Sequence, residues 1–342
     1  MKVEFMRVLA AIGVGLAITA MPVHSGDNED GVQFLQAKDY ARALSSFRNA
    51  ALQGNASAQH NLGLMYDKGQ GVARDYGQAM SWFEKAAAQG LGEAQFNLGV
   101  MYAKGHGTSR DYNRAISWYE KAAAQGLPQA QQNLGVMYDR GEGVPRDYAR
   151  ALSWFRKAAA QDFADAQASL GERYDEGKGV AKNYKEAMSW YEKAAAQGHA
   201  GAQNNLGVMY DEGKGVARDY AKAMYWYKKA AMQGYATAQT SVGVMYDEGQ
   251  GVAKDHREAR AWYEKAAAQG NVPAQFNLGV MYAQGQGVAV DSIEAHKWFN
   301  LAGSQGHPNA RKLLGVLEKN MTAGQIRDAQ RRANEWLQRR EK

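Results

Sequence analysis

Apolar residues recur along this chain in pairs of helical stripes. The first stripe of residues 55–90 has the spacing i, i+4, i+7, i+8 and consists of Ala58, Leu62, Met65 and Tyr66. A second stripe, over residues 79–86, has the spacing i, i+3, i+4, i+7. Both spacings place the apolar side chains on one side of an α-helix. The pattern predicts two amphipathic helices that form an antiparallel hairpin.

This pair of stripes recurs every 36 residues over residues 55–306, which therefore contain seven units. A Leu-Gly or Val-Gly step marks each unit, at Leu62, Leu98, Leu134, Leu170, Leu206, Val242 and Leu278. A tryptophan follows in the second stripe of each unit, at Trp82, Trp118, Trp154, Trp190, Trp226, Trp262 and Trp298. Repetition at a fixed period of this size predicts a solenoid, in which stacked units share one core.

Glycines and short polar residues punctuate each unit. Gly69 and Gly71 permit a tight reversal after the first helix. Gly63, inside that helix, costs about 1 kcal/mol relative to alanine, so we expect close packing of the partner helix there. A short acceptor side chain begins each second helix and is predicted to cap it. These residues are Asp75, Asp111, Asp147, Asn183, Asp219, Asp255 and Asp291.

The recurring combination A-x-x-x-L-G-x-x-Y-x-x-G-x-G-V-x-x-D-x-x-x-A-x-x-W-[YF]-x-K-A-A-x-Q-G resembles the Sel-one-like repeat, a relative of the tetratricopeptide repeat. The resemblance covers residues 55–306 and implies an all-α fold, an α/α superhelical solenoid of antiparallel hairpins. Residues 26–54 keep the repeat phase without the turn insertion and are expected to form a tetratricopeptide-like capping hairpin. Residues 307–342 contain Leu314-Gly315 but no glycine-valine turn and are expected to form a C-terminal capping hairpin.

Residues 1–25 have the features of a cleavable export signal. A basic start precedes an apolar run of 13 residues, Val8 to Ala20, which is too short to span a bilayer. Small residues before Gly26 suit cleavage. We therefore expect a bacterial protein of the periplasm or the exterior, without stable membrane insertion.

Charge and composition narrow the function further. The net charge of +6 comes from residues 1–25, at +1, and residues 311–342, at +5. The repeats are thus neutral overall, which argues against nucleic acid as a partner. The chain has no cysteine. No nucleophile motif, phosphate-binding loop or metal-ligand spacing is present, so we predict no catalytic residue, no cofactor, no metal and no enzymatic activity.

The seven tryptophans and the row Met65, Met101, Met137, Met209, Met245 and Met281 are predicted to be core residues, because both rows lie on the apolar stripes. Function is expected where the units differ in sequence, and the most varied positions lie on another face of the first helix. Counting Asn55 as position 1, positions 3, 6, 7, 10, 13 and 14 lie opposite the apolar stripe of the first helix. In tetratricopeptide arrays the matching face lines the concave groove that holds peptides, and the resemblance implies the same here.

Position 7 always carries a small polar side chain, and a row of carboxamides can both donate to and accept from a peptide backbone. The candidate residues of this row are Asn97, Asn133, Asn205, Ser241 and Asn277. Carboxylates gather on the same face of three successive units, at Glu172, Asp175, Glu176, Asp211, Glu212, Asp247 and Glu248. Their summed field favours a basic segment of a partner. The alternative is a solvated acidic row that Lys178 and Lys214 neutralise.

The sequence favours an exported, monomeric and non-enzymatic scaffold that binds a protein or peptide in the groove. One alternative is a secreted enzyme, because some cysteine-rich members of the family have been linked to β-lactam hydrolysis. This chain has neither cysteine nor an S-x-x-K motif. A cell-wall or glycan binder and a host-interaction factor are further alternatives. Against a glycan platform, the aromatic residues of the groove face, Phe96 and Phe276, are far apart in the array.

Overall fold

The computed structural model describes residues 26–341, which form eighteen α-helices and no strand. The predicted export segment, residues 1–25, lies outside this range. The odd-numbered helices are the first helices of the hairpins and the even-numbered ones the second. Their bounds are α1 Gly26–Gln36, α2 Tyr40–Leu52, α3 Ala56–Lys68, α4 Tyr76–Ala88, α5 Gly92–Lys104, α6 Tyr112–Ala124, α7 Pro128–Arg140, α8 Tyr148–Ala159, α9 Ala164–Glu176, α10 Tyr184–Ala196, α11 Ala200–Glu212, α12 Tyr220–Met232, α13 Ala236–Glu248, α14 His256–Ala268, α15 Val272–Gln284, α16 Ser292–Ser304, α17 Pro308–Glu318 and α18 Ala323–Glu341.

The predicted caps are confirmed. Asp75 accepts a hydrogen bond from the backbone N–H of Gln78 at 3.0 Å, and the six equivalent residues also cap their helices. Each cap satisfies a first-turn N–H that has no partner within the helix. Within the turn, Gly71 has a φ of +73°, and a Cβ there would lie 2.8 Å from the carbonyl oxygen of Tyr40. Gly71 therefore permits both the turn and the close approach of the preceding hairpin.

The glycine inside each first helix accommodates an aromatic ring of the second helix. A Cβ on Gly63 would lie 2.6 Å from the ring of Phe83, which is 1% exposed. The same pairing recurs in all seven units, with Tyr119, Phe155, Tyr191, Tyr227, Tyr263 and Phe299 as the other rings. The packing reason inferred for this glycine is thus confirmed, and the ring belongs to the residue after the tryptophan.

The tryptophans differ from the prediction in burial. Six of the seven are half-buried, and only Trp298 is buried. Trp82 packs on the cluster that α2 and α3 form, while Lys85 lies over its ring, 3.9 Å from the ring centroid. A ring placed between two hairpins at the surface keeps one side for water and a cation. The methionine row is buried as predicted.

A row of buried glutamines joins the hairpin ends. Gln59 donates to the carbonyl oxygen of Ala51 in the preceding hairpin at 3.1 Å, and its own Oε1 accepts from Gln89 at 2.8 Å. The second contact recurs in every unit. The amide supplies both a donor and an acceptor, which a buried site between two helix ends requires.

The described chain divides into two compact units, one ending at Ala130 and the other beginning at Gln131. Within the second unit, the helices at the C-terminus differ from the predicted capping hairpin. The helix α18 packs on α16, where Trp336 meets Trp298 with 5.9 Å between ring centroids, and its Ala333 joins the cluster around Tyr263. Without a glycine-valine turn, α18 follows its own apolar stripe to this surface rather than pairing along α17.

Two further details concern single helices. Asp162 replaces the usual C-terminal glycine at a φ of +57°, and α8 is one residue shorter than the other second helices of the repeats. The start of α18 has the predicted capping box, in which Thr322 and Gln325 exchange hydrogen bonds.

None of the helices in residues 26–341 combines the length and apolarity needed to cross a membrane.

Candidate interaction face

The side of the first helices formed by positions 3, 6, 7, 10, 13 and 14 is called here the first-helix face. Its position-7 residues are all half-buried: Asn61, Asn97, Asn133, Ser169, Asn205, Ser241 and Asn277. They are therefore held in place and remain partly accessible.

Hollows open on this face between successive first helices. In the first compact unit, Asn97 borders two of them, of about 130 and 230 Å³. The smaller is floored by Phe83 and flanked by Asp67 and Lys104. The larger is flanked by His60 and Phe96. His60 and Asn97 hydrogen-bond at 2.9 Å, and burial lowers the pKa of this histidine, which favours its neutral form.

A third hollow, of about 180 Å³, lies between α15 and α17 in the second unit. Phe299 floors it, and Val280, Leu313 and Val316 form its walls. It therefore has the same construction as the smaller hollow of the first unit. The ring that fills the glycine notch also floors the hollow next to it.

In the second compact unit, the two predicted rows meet at tyrosine hydroxyls. Asp211 accepts from the hydroxyl of Tyr227 at 3.3 Å, and Ser241 of the next repeat touches the same hydroxyl. Two more buried tyrosines interact electrostatically with an aspartate of their own repeat and lie near a small polar residue of the next repeat. The three sets are Asp175–Tyr191–Asn205, Asp211–Tyr227–Ser241 and Asp247–Tyr263–Asn277. Sequence reasoning identified the outer residues and missed the tyrosines, although the change from Phe to Tyr at one repeat position was visible.

Burial and these carboxylates raise the pKa of all three phenols. Desolvation is the largest cause, because a phenolate loses its water inside the hairpin. Desolvation also raises the pKa of Asp211. The hydroxyl of Tyr191 has no hydrogen-bond partner within the described chain. It is thus a buried polar atom at the acidic end of the face.

Ion pairs neutralise part of the acidic row. Lys178 lies 2.9 Å from Glu176, and Lys214 lies 2.6 Å from Glu212. Both lysines belong to the turns considered in the sequence analysis. Lys214 also interacts with Asp175 at longer range. In the described chain, Asp175 and Asp211 form no ion pair of their own, whereas Asp247 contacts His256 at 2.6 Å.

Arg173 was missed by the sequence analysis. It occupies the place of the buried methionine in the fourth repeat, and its side chain is 8% exposed. Its guanidinium pairs with Asp139 and, at 3.1 Å, with Glu176. The signal was the gap in the methionine row, directly after Glu172, which replaces an apolar residue. Two adjacent departures from a repeat indicate a local polar site.

Glu172 lies at the edge of this site with half of its side chain exposed. Desolvation raises its pKa, Glu176 and Asp139 add to the shift, and Arg173 opposes it. Its carboxylate lies 3.7 Å from the guanidinium. The Glu172 carboxyl is thus more stable when it is protonated, or when a cationic group lies next to it, than as an unpaired carboxylate.

In residues 26–341, no three His, Cys, Asp or Glu side chains are grouped closely enough to hold a metal ion. The described histidines have separate neighbours instead. His296, for example, is buried and lies 2.8 Å from Glu318, so that it fastens α17 to α16.

Comparisons with known proteins agree with this geometry. The Sel1 repeat family matches seven consecutive segments: 56–91, 92–127, 128–163, 164–199, 200–235, 236–271 and 272–307. A Sel1 repeat protein from Oxalobacter formigenes is 36% identical over 70% of this chain and 96% of its own, with a TM-score of 0.66. The Escherichia coli protein c5321 is 29% identical over 91% of both chains, with a TM-score of 0.55. Its structure is described as that of a protective antigen of uropathogenic strains with an SLR fold.

A search of curated protein sequences found no significant match. The seven matched segments span most of the chain. Each begins at the first residue of its first helix and ends three or four residues after its second helix. The recurring Leu-Gly step, capped second helix and aromatic ring on the glycine explain why the match is so regular. The chain belongs to the Sel1 repeat family and has its helical solenoid fold.

Proposed function

We propose that this protein is an exported, non-enzymatic scaffold that binds a basic, extended segment of a partner protein on the first-helix face of its second compact unit. Sel1 repeats suggest protein–protein interaction, and stacked hairpins present extended surfaces of this kind. To this we add the binding surface, the charge of the bound segment and the cellular compartment. The protein acts as a monomer in this proposal.

The observation that carries the proposal is the threefold set of Asp, Tyr and Asn or Ser. In each set, a carboxylate of the same repeat and a small polar side chain of the next repeat interact with a buried phenol, and in the third set the carboxylate also contacts His256. A cationic side chain can pair with the carboxylate, while Asn205, Ser241 and Asn277 bond a peptide backbone. The sets recur once per repeat, which suits a segment with regularly spaced basic residues.

The charges on this face also support a basic partner. Asp175 and Asp211 lack ion pairs in the described chain, and the pKa values of Asp211 and Glu172 are raised by desolvation. Carboxylates in this state gain free energy when a cation approaches. The exposed glutamates Glu176 and Glu212 already have lysine partners and contribute less.

Export rests on residues 1–25, whose short apolar run and small residues before Gly26 suit a cleavable signal. That a related protein is a protective antigen fits a location outside the cytoplasm. N-terminal sequencing of native protein from fractionated cells tests this part. A mature start near Gly26 outside the cytoplasm supports it, and an intact Met1 in the cytosol contradicts it.

The binding part is tested with a fluorescent, lysine-rich peptide and the full mature chain. We expect saturable binding that weakens as salt rises. The double variant Asp175→Asn and Asp211→Asn should bind about tenfold more weakly and with a flatter salt dependence. The matched control is Glu176→Gln with Glu212→Gln, which changes the charge equally but removes carboxylates that already have partners.

Equal losses in the two double variants would contradict the assignment of the site to the aspartates. No saturable binding of the basic peptide, or equal binding of an acidic peptide of the same length, would overturn the proposed partner chemistry. Circular dichroism melts of all variants exclude unfolding as the cause.

A further inference from the structure

In the part of the chain that the structure describes, nothing packs against the glycine of the Leu314-Gly315 step. A Cβ on Gly315 would meet no atom within 4 Å, whereas in all seven repeats the equivalent position faces an aromatic ring at contact distance. Gly315 is exposed and Leu314 is half-buried. Every equivalent of Leu314 is 0% exposed. Within residues 26–341, α17 is therefore the first helix of a repeat that has no second helix packed against Gly315.

The chain's own last helix does not supply the missing ring. In all seven repeats the aromatic residue follows the glycine by 20 positions, and in the N-terminal hairpin, from Gly31 to Phe47, by 16. The corresponding residues after Gly315 are Glu335 and Arg331, and both are charged. The apolar face of α18 is already used, since Trp336 packs on Trp298.

The glutamine row also ends at this helix. Arg311 stands where the repeats have glutamine and, like those glutamines, donates to a carbonyl of the preceding hairpin, that of Gly303, at 3.1 Å. In the repeats, the glutamine oxygen then accepts from a glutamine at the end of the second helix. An arginine has donors and no acceptor, so the group that completes this site must be an acceptor.

We propose that the surface formed by Arg311, Leu314 and Gly315, the half-repeat face, binds an amphipathic helix of a partner protein that completes the eighth repeat. It continues an interface that the chain builds seven times, and this internal repetition specifies the occupant. The partner helix carries an aromatic residue for the Gly315 notch, with alanines four residues before and three after it, as at Ala79, Phe83 and Ala86. A Glu or Asp lies six residues after the ring, the position of Gln89, and pairs with Arg311.

This face is separate from the first-helix face, and the proposal does not depend on the basic partner. It is a helix-in-groove interaction, in which one anchor ring supplies most of the specificity. The acidic residue adds charge complementarity at the end of the helix, where the exposed Lys312 lies next to Arg311.

The test uses an acetylated and amidated peptide that copies residues 147–161, the second helix with Phe155, with glutamate in place of Gln161. Its binding to the full mature chain is followed by fluorescence anisotropy. We expect saturable binding and a loss of about tenfold or more with the protein variant Gly315→Leu. The variant should fold normally, because nothing lies within 4 Å of the added Cβ. A melt of Gly315→Leu checks this.

Two matched changes identify the contacts. A peptide with Phe155→Ala should lose binding as strongly as Gly315→Leu does. The protein variant Arg311→Gln should reverse the preference, so that the peptide with glutamine at position 161 binds better than the peptide with glutamate. Both results together place the ring in the notch and the acceptor at Arg311.

Three outcomes would overturn the proposal. The peptide could fail to bind the wild-type chain, which would mean that α18 or the solvent is sufficient cover for α17. Binding could be equal in wild type and Gly315→Leu, which would place the peptide elsewhere. Sedimentation could reveal self-association that Gly315→Leu abolishes, which would make a second copy of this chain the occupant.

Discussion

Gly243 lies directly beneath the ring of Tyr263, and a Cβ on the glycine would stand 2.5 Å from the nearest ring carbon. No real Cβ reaches that distance, so the hairpin can close only because this position has no side chain. The glycine that weakens the isolated helix is thus the residue that permits the tertiary contact.

Gly243→Ala should destabilise the protein by about 1–3 kcal/mol, the usual cost of overpacking a core, despite the gain in helix propensity. The matched control is Gly315→Ala, at the same repeat position with no neighbouring atom. This control should stabilise by up to about 1 kcal/mol. Urea unfolding of both variants measures the difference in the free energy of unfolding. Equal effects would show that the ring contact is not the reason for a glycine at this position.

Two adjacent aromatic residues should differ in their contribution to stability. Phe155 is 2% exposed, whereas Trp154 is half-buried. Phe155→Ala should cost about 3–5 kcal/mol, as for buried aromatic residues generally, and Trp154→Ala clearly less. Thermal melts of the two variants provide the comparison, and a larger loss at Trp154 would contradict the burial described here.

The buried glutamines should be energetically coupled along a hairpin end. Gln203 donates to the carbonyl of Ala195 at 3.2 Å and accepts from Gln233 at 2.7 Å. Gln203→Leu removes two hydrogen bonds, each contributing about 0.5–1.5 kcal/mol, and should cost about 1–3 kcal/mol in total. Gln233→Ala, at an exposed residue, should cost less. A double-mutant cycle should show a coupling energy of at least about 0.5 kcal/mol, and simple additivity would exclude the contact.

Glu172 should make stability depend on pH. Desolvation raises its pKa in the folded chain, so the folded state holds the proton more tightly than the unfolded state. The stabilisation is therefore complete below the ordinary carboxyl pKa and is lost as pH rises through the raised value. Glu172→Gln should remove this dependence and increase stability at neutral pH.

Chemical unfolding between about pH 3 and 8 measures the change. Glu248→Gln, at another exposed carboxylate of the same face, is the matched control for the loss of one negative charge. A slope that persists in Glu172→Gln would assign the pH dependence to other groups.

The sequence by itself determined the helices, their caps and the order of the hairpins. These features follow from local rules: an apolar stripe fixes which side of a helix is buried, Asp75 and its equivalents satisfy free N–H groups, and Gly69 permits a left-handed turn. Each of these features occurs in all seven repeats, so the pattern can be recognised from the sequence without any knowledge of contacts.

Only the tertiary structure decided which neighbours those residues meet. The stripe places Trp154 and Phe155 on the same helix side, but the approach of the glycine notch buries Phe155 and leaves Trp154 half-exposed. The joining of Asp211 and Ser241 at the hydroxyl of Tyr227 depends on how successive hairpins are offset. The packing of α18 on α16, which leaves Gly315 uncovered, depends on a choice among apolar surfaces. Such contacts depend on the relative placement of whole helices, which the spacing of residues within one helix does not specify.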